Sequence, residues 1–592
     1  MAQPKKNATA DTFFLAKKRG LLGKIGRLVS IDPPNDTIGA TINNVSPFLL
    51  FKDKKINHIK ITNITFGGSV NDTSKLRKSL FLRLADDLHV VTREKIIRNN
   101  LFFKEGDRLF PNLVADNERF LRDLSYIQDA RILVQPSVGD NDAVDIIVVY
   151  KDVFSVSGTG SGSPRNAYLE IKEDNFMGQA QRIIARQYYD LDRNKKYGVG
   201  LEYTKRNIKG TFVDFTIGYS DITPTFNSGR REETVFYTRF DLPLVSPYSL
   251  WTGSVENAIH TTVNRYVSDS LFNSDFNYKY RQIDAWVGYN ISGKLAFDEG
   301  TIRKTKQFLA IRATARKFFE TPSLYHDRYV YQYANLNSVL AAYTIFKQEY
   351  YRTNFIYGFG RNEDVPEGFN YSLIAGWADR SDVSRPYLGL DLQRNYFTST
   401  KNYFNYTFRM GSYLNKNELQ DVGMVLSVES FTKLRKIANS RWFTRHFINA
   451  SISQQYRRTL DEPIRLNSMF GIEEFNSDSA TLSDTRLSIG CTSVFYNTLK
   501  LSGFSFAPFV FTNLSYLKPI GLNFNKGDIY GSFGAGVRSR NENLIFGTME
   551  LKAFYYPRTT INMNPLNVTF TTDLRFKYNS QYVKRPDFVT LN

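Results

Sequence analysis

The sequence contains very little cysteine and histidine. One Cys, Cys491, occurs among the 592 residues, which excludes a disulfide framework and a cysteine-based zinc site. The five His residues are scattered along the chain, and none of them is spaced from another as metal ligands are. We therefore expect neither a bound metal ion nor a cofactor.

Long apolar runs are also missing. A transmembrane helix needs about 18 to 20 consecutive apolar residues, and the longest runs here are short, such as residues 146–150. The printed chain does not open with the charged and apolar regions of a secretory signal peptide. If the protein is exported, we expect this sequence to be its mature form.

What the chain does contain is a large aromatic fraction and a surplus of positive charge. Aromatic residues make up 15% of the chain, with 36 Tyr and 47 Phe, and the formal net charge is +19. This composition is too apolar and aromatic for a disordered chain. It fits either a large soluble β protein or a transmembrane β-barrel, whose lipid-facing residues alternate with polar interior ones.

From about residue 154 onward, apolar and polar residues alternate in segment after segment. Leu309 and Ile311, for example, flank positions taken by polar or charged side chains. By pattern alone we count about 20 such segments across 154–578, and we expect the apolar register, with most Tyr and Phe, to face lipid. The charged residues of these segments are expected to face a watery lumen: Arg312, Arg316, Asp391, Arg409, Arg575 and Lys577.

A soluble β-sandwich or propeller would also show alternation. The segments here are longer than the average soluble strand of about 5–6 residues, and we find no repeat of fixed period. These observations favour a mainly β protein built on an antiparallel transmembrane barrel.

Residues 58–153 read as a small α/β domain with the order β-α-α-β-β. A helix over 93–103 is predicted to begin with Thr92 as its N-cap, and a second helix is predicted over 114–126. Strands follow at 129–136 and 143–152, and the latter has two apolar faces, as a central strand does. Residues 1–57 form a basic extension, either a flexible tether or an amphipathic helix, and 579–592 form a C-terminal tail.

Several segments of this small domain resemble one POTRA domain of the BamA/TamA superfamily of outer-membrane assembly and secretion proteins. The segments that carry the resemblance are 92–107, 115–122, 126–132, 144–146 and 151–155. The sequence Glu-Asp-Asn-Phe-Met-Gly at 173–178 resembles the turn after the second barrel strand of that group. The resemblance implies a 16-stranded barrel in the outer membrane of a Gram-negative bacterium, with the POTRA domain in the periplasm.

The family folds one long loop into its barrel and anchors it through an Arg-Gly-aromatic motif. The best match lies between about 459 and 484, and it departs from the family because Glu473 and Glu474 stand where Arg and Gly are expected. Two carboxylates cannot pair with acidic groups in the barrel, although they could pair with a basic lumen. The residues of this degenerate motif are Gly471, Ile472, Glu473, Glu474 and Phe475.

The first barrel segment carries glycine at alternate positions. The glycines are Gly158, Gly160 and Gly162, and they face a last strand that contains Phe570, Leu574, Phe576 and Tyr578. Glycine weakens a strand, so this seam is a candidate for opening. The resemblance implies a lateral gate at which a client strand is templated, whereas from the residues alone a glycine-rich bend that closes the barrel explains them equally well.

A second candidate site is the edge of the small domain's sheet. The strand that contains Arg131, Ile132, Leu133 and Val134 is expected at this edge, where an extended segment could bind by strand addition. The alternative is an edge that is covered within the protein.

The positive charge has several possible partners. We expect outer-membrane lipids and lipopolysaccharide rather than nucleic acid, because Lys and Arg occur singly in alternating strands. We find no motif for catalysis and expect no enzyme activity. The resemblance implies insertion or translocation of unfolded outer-membrane proteins, with periplasmic or lipoprotein subunits as partners. A structural subunit of a larger complex and a passive pore with a basic lumen remain alternatives.

Overall fold

The computed structural model describes most of the chain, and every structural statement below concerns those residues. They are 42–43, 45–63, 91–152, 155–226, 228–293, 305–326, 329–353, 355–356, 359, 363–381, 383–460, 462–472, 475, 481–497, 504–541, 548–560, 563–574 and 583–592.

Strands dominate the fold, with a few short helices. The strands are β1 (Ile42–Asn43), β2 (Lys55–Asn63), β3 (Ile127–Ser137), β4 (Asp140–Asp152), β5 (Val156–Gly162), β6 (Asn166–Phe176), β7 (Gln181–Asp190), β8 (Tyr197–Lys205), β9 (Asp214–Pro224), β10 (Arg231–Leu242), β11 (Trp251–Thr262), β12 (Lys279–Asn290), β13 (Lys306–Glu320), β14 (Leu336–Thr353), β15 (Glu363–Arg380), β16 (Val383–Phe397), β17 (Tyr403–Asn415), β18 (Glu418–Phe431), β19 (Arg435–Lys436), β20 (Trp442–Tyr456), β21 (Ser483–Asn497), β22 (Phe504–Pro519), β23 (Asp528–Asn541), β24 (Thr548–Tyr555) and β25 (Leu566–Leu574). The α-helices are α1 (Glu94–Asn99), α2 (Pro111–Asp123) and α3 (Asp269–Asp275), and 3-10 turns occur at Ser46–Phe51, Ile208–Gly210, Ser323–Tyr325, Tyr331–Tyr333 and Phe524–Lys526. In the described part of the chain, no helix has the length and apolar character needed to cross a membrane.

The small domain is a three-stranded sheet with two helices. The strand order is β2-β4-β3, with β2 parallel and β3 antiparallel to β4. Val144, Ile146 and Val148 of β4 are fully buried in the core of this domain, and Val149 is buried on the opposite face. The central position of β4 therefore agrees with its two apolar faces.

The predicted N-cap of the first helix is wrong. The helix begins at Glu94 with Arg93 as its N-cap, and no side chain caps it. Thr92 instead donates to Asp152 Oδ1 at 2.6 Å and accepts from Asn175 Nδ2 of β6 at 2.9 Å. The Thr92 hydroxyl, which the local pattern predicted would cap the helix, instead bonds to Asp152 and to Asn175 of the barrel.

The barrel is a closed sheet of antiparallel strands. Among the described residues, twenty strands form the wall, running from β5 to β25 with the two-residue β19 outside the count, and β25 pairs with β5 to close it. The pattern count of about 20 segments agrees with this number, and the 16 strands implied by the resemblance do not.

The wall strands alternate between lipid and lumen. On β13, Leu309 and Ile311 are about half exposed, at 48% and 49%, whereas Phe308, Ala310 and Arg312 face inward and are buried. An apolar outer face on a closed barrel is the arrangement of a membrane-spanning barrel. Of the charged residues predicted to face the lumen, Arg575 and Lys577 lie outside the described residues.

The expectation that most Tyr and Phe face lipid is wrong for a large part of the barrel. One buried cluster inside the lumen contains residues from the wall and from the turn after β14: Phe355, Phe359, Tyr496, Phe509, Phe511, Tyr530, Phe554 and Tyr556. Alternation shows that a strand has two faces, but it does not show which face meets an apolar surface. Here chain segments inside the lumen supply that surface.

The small domain packs against one end of the barrel, which we call the domain end. Arg122 of α2 donates to Asp364 of β15 at 2.7 Å, and both side chains are only 7% exposed. Arg119 of α2 stacks over the Tyr350 ring of β14, 4.2 Å from its centre. Because strands alternate in direction, the loop between β20 and β21 lies at the opposite, far end.

Candidate functional site: the barrel seam and the lumen

The seam between the first and last wall strands is short. Four residue pairs join β5 to β25 in the described ladder, whereas eighteen join β14 to β15. Gly160 lies opposite Phe570 and Gly162 lies opposite Val568. Among the described residues this is the shortest ladder between neighbouring wall strands, and a short ladder holds two strands with few backbone hydrogen bonds.

The three glycines lie on the lipid-facing side of the seam. Residues directly opposite each other share a face, and the partners Phe570 and Val568 are exposed outward, as are Leu169 and Ile171 on the other neighbour, β6. On the lumen side, the hydroxyls of Thr159 and Thr571 are 3.2 Å apart. On the lipid-facing side of the seam, β5 therefore contributes no side chains at its three glycines. On the lumen side, the seam is joined by small polar side chains.

Backbone geometry does not require glycine at these positions. Gly158, Gly160 and Gly162 are not among the residues with positive φ, and a Cβ on any of them would approach no atom closer than 3.4 Å. A bend or close approach that only glycine can make is therefore not the reason for these residues. Their effect is to remove side-chain packing across the seam.

The last strand is only partly described. Phe570 faces outward and Leu574 lies opposite Thr548 of β24, not opposite β5. Phe576 and Tyr578 lie outside the described residues. Residues 568–571 of this strand meet β5, and the partner of Gly160 is Phe570.

The sheet edge predicted in the small domain is β3, and α2 covers part of it. The backbone N–H of Ile132 donates to Glu118 Oε2 at 2.9 Å, and Arg122 donates to the carbonyl of Ala130 at 3.3 Å. A strand that added along Arg131 and Ile132 would have to displace these two side chains. Leu133 is exposed and Val134 packs against the domain core.

The degenerate motif lies in the far-end loop that folds into the lumen. Ile472 and Phe475 are buried there, and the Phe475 ring is 5.5 Å from that of Tyr530. A Cβ on Gly471 would lie 2.1 Å from the carbonyl oxygen of Leu466, so only glycine fits this close approach. Glu473 and Glu474 lie outside the described residues.

An arginine of the wall holds this loop. Arg486 of β21 is fully buried and donates to the carbonyl of Arg465 in the loop and to Ser453 Oγ at 3.0 Å. Arg486 therefore attaches the loop to the inner wall of the barrel. Sequence reasoning missed Arg486 because one Arg in an alternating strand has no signature of its own.

The C-terminal tail also lies in the lumen. Val583 packs with Phe308 and Phe346 near the domain end, and the Asn592 amide donates to the carbonyl of Pro463 in the far-end loop at 2.9 Å. Ten extended residues span at most about 35 Å, which is close to the thickness of a bilayer core of about 30 Å. The tail therefore runs through the lumen from the site at Phe308 and Phe346 to the far-end loop.

Charged residues of the tail meet opposite charges on the wall. Arg312 pairs with Asp587 at 2.6 Å, Lys584 lies 3.3 Å from Asp391, and Arg585 lies 3.3 Å from Asp284. The remaining lumen contains a cavity of about 1280 Å³ whose lining includes the last six residues of the tail. The inward charged register predicted for Arg312 and Asp391 thus binds a chain segment instead of water alone.

No protein-family model and no curated protein matches the chain. A search of solved structures finds chains that align with much of this one. BamA from Haemophilus ducreyi lacking POTRA domains 1–3 aligns over 88% of this chain and 84% of that chain, at 11% identity and a TM-score of 0.32. CdiB from Acinetobacter baumannii aligns over 88% and 74%, at 9% identity and a TM-score of 0.38, and CdiB from Escherichia coli over 88% and 76%, at 8% and 0.36.

Proposed function

We propose that this protein inserts or translocates other polypeptides at a bacterial outer membrane, as its resemblance to the BamA/TamA superfamily implies. In this proposal the small domain is a POTRA domain in the periplasm, and the barrel spans the outer membrane. The observation that carries the proposal is the seam of four residue pairs with three glycines that the backbone does not require.

The seam would act by strand templating. If β5 and β25 separate, each exposes a row of N–H and C=O groups, and a client strand can satisfy them. Glycine lowers the cost of separation because no side chains pack across the outer face. The driving force would be the folding of the client in lipid, and the proposal includes neither chemical catalysis nor a cofactor.

The proposed partners are unfolded outer-membrane proteins, lipids with lipopolysaccharide, and periplasmic or lipoprotein subunits. The seam, rather than the β3 edge, is proposed as the strand-addition site, because Glu118 and Arg122 already bond to backbone groups of that edge. A passive pore is less well supported, since the tail occupies part of the lumen.

A disulfide across the seam tests the proposal. Gly160→Cys with Phe570→Cys joins two residues in direct register, and opposed residues in antiparallel strands have Cα atoms about 4.5–5.5 Å apart, within disulfide range. The exposed Cys491 is first replaced by Ser. We expect the oxidised protein to lower the level of assembled outer-membrane proteins in cells, and reduction to restore it.

The matched control is Ile311→Cys with Ala341→Cys, a registered outward pair on β13 and β14 far from the seam. This pair should form a disulfide without effect on assembly. If the seam disulfide forms fully and assembled protein levels remain normal, the templating function is wrong.

A further inference from the structure

The tail is bound in the lumen largely through its backbone. Arg312 donates to the carbonyl of Pro586 at 3.1 Å, and the N–H of Val589 donates to the hydroxyl of Tyr387 at 2.7 Å. Arg486 donates to the carbonyl of Leu591 at 2.6 Å. Backbone contacts of this kind can be made by any extended polypeptide of similar course.

Two side chains of the tail fill apolar sites on the wall and the loop. The Phe588 ring packs against Tyr387 and Tyr413, with ring centres 4.9 and 6.0 Å apart. Leu591 belongs to a buried cluster with Val425, Ile464 and Phe470. The Phe588 and Leu591 sites are three residues apart along the tail, so they define a spacing for a ligand.

The wall beneath the tail is shaped to admit a peptide chain. Gly389, Gly411 and Gly423 lie opposite one another on three neighbouring strands. A Cβ on Gly411 would lie 3.0 Å from Val589 Cβ, and one on Gly423 would lie 3.3 Å from a methyl carbon of Leu591. Glycine at 411 and 423 therefore lets the tail lie close against the wall, whereas a Cβ on Gly389 would meet only the Tyr387 ring.

We propose that the lumen is a binding site for an extended polypeptide segment, and that the chain's own residues 583–592 occupy it at rest. The ligand class is a peptide with two adjacent basic residues, an aromatic three residues later and an aliphatic three residues beyond that. Asp391 and Asp284 face the basic pair, Tyr387 and Tyr413 receive the aromatic, and Arg486 receives the backbone. This inference extends the proposed function by adding a polypeptide site distinct from the seam.

Because the tail is covalently attached to the barrel, it competes with any free peptide for this site. Residues 575–582 link the tail to β25, so the tail is present at an effective concentration of about millimolar. A free peptide should therefore compete poorly against the intact chain and bind well once the tail is removed.

The test uses a fluorescent decapeptide with the sequence of residues 583–592, Val-Lys-Arg-Pro-Asp-Phe-Val-Thr-Leu-Asn, and measures its anisotropy with purified protein in detergent. A chain ending at Tyr582 should bind it saturably, and the full-length chain should bind at least tenfold more weakly. The same peptide with Phe588→Ala should lose at least tenfold in affinity for the shortened chain.

A locked full-length chain provides the control. In the Cys491→Ser background, Gly423→Cys with Leu591→Cys places a sulfur where Leu591 Cγ now lies, 3.4 Å from the Cβ position on residue 423. Oxidation should abolish the residual peptide binding of the full chain. Equal binding to the locked and shortened chains would show that the peptide binds elsewhere, and would overturn the inference.

A second variant covers the case in which the shortened chain does not fold. Full-length protein with Phe588→Ala and Leu591→Ala keeps its tail but weakens its hold, so it should bind the peptide more tightly than the wild type. No gain in binding would overturn the inference. Peptide binding is independent of the seam, so normal assembly with a closed seam would refute only the proposed function.

Discussion

The Arg486 side chain, on the inner wall of the barrel, donates a 2.6 Å hydrogen bond to the backbone carbonyl of Leu591, the residue before the C-terminus. The same guanidinium donates to the carbonyl of Arg465 in the far-end loop. One buried wall residue thus joins two chain segments that are far apart in sequence.

Replacing Arg486 should loosen the tail. Arg486→Met leaves two buried carbonyl groups without their donor, at a cost of about 2 kcal/mol. We expect faster hydrogen exchange at residues 583–592, measured by mass spectrometry in detergent. Arg538→Met, which removes an inner-wall ion pair with Glu550 away from the tail, should leave exchange of the tail unchanged. Unchanged hydrogen exchange of the tail in Arg486→Met would show that Arg486 is not needed to hold the tail.

Adding a side chain at the seam should strengthen it. Gly160→Val introduces a β-branched residue where the nearest atom to a new Cβ is 3.6 Å away, and it should stabilise the strand by about 0.5–1 kcal/mol. We expect a higher thermal unfolding midpoint and slower assembly of client proteins. Gly376→Val should do the opposite to stability, because its Cβ would lie 2.1 Å from the backbone carbonyl oxygen of Val339.

The contribution of Asp116 on α2 to the stability of the folded protein should fall as pH rises through the range between about 4 and 6. Burial raises the pKa of Asp116 to about 6, while Arg119 and Lys306 oppose that rise. The folded protein therefore holds this proton more tightly than the unfolded chain, so its contribution is full below pH 4 and lost above pH 6.

The matched variant for this effect is Asp116→Asn. This substitution should remove a pH-dependent difference of at most about 3 kcal/mol in the free energy of unfolding, since each pKa unit corresponds to about 1.4 kcal/mol. Thermal unfolding of both proteins at pH 4.5 and 7.5 measures it, because other titrating groups cancel in the comparison. Identical pH dependence in the two proteins would contradict the assignment to Asp116.

The ion pair between Arg122 and Asp364 should hold the small domain on the barrel. Arg122→Met leaves Glu118 and Asp364 as buried carboxylates and should cost about 3–5 kcal/mol. A double-mutant cycle with Asp364→Asn should give a coupling energy of about 1–3 kcal/mol, measured by thermal unfolding. A coupling energy near zero would mean that α2 is held by its other contacts, such as Arg119 on Tyr350.

The pattern of neighbouring residues was enough to predict the barrel wall, but not the segments that fill its lumen. Outward Leu309 and Ile311 alternate with inward residues such as Arg312, and this period of two depends only on neighbouring residues. The barrel and a count of about twenty strands could therefore be predicted from the sequence. Thr92 shows the opposite case, because a hydroxyl suited to a helix end binds Asp152 and Asn175 instead.

The sequence by itself determined that the chain forms a mainly β barrel with a weak, glycine-bearing first strand. Only the tertiary structure decided that Phe570 is the partner of Gly160, that α2 covers part of the β3 edge, and that residues 583–592 thread the lumen. The physical reason is that strand periodicity is a property of neighbouring residues. The register between the first and last strands, and the segment that fills the lumen, depend on contacts between residues hundreds of positions apart. Such contacts leave no pattern among neighbouring residues in the sequence.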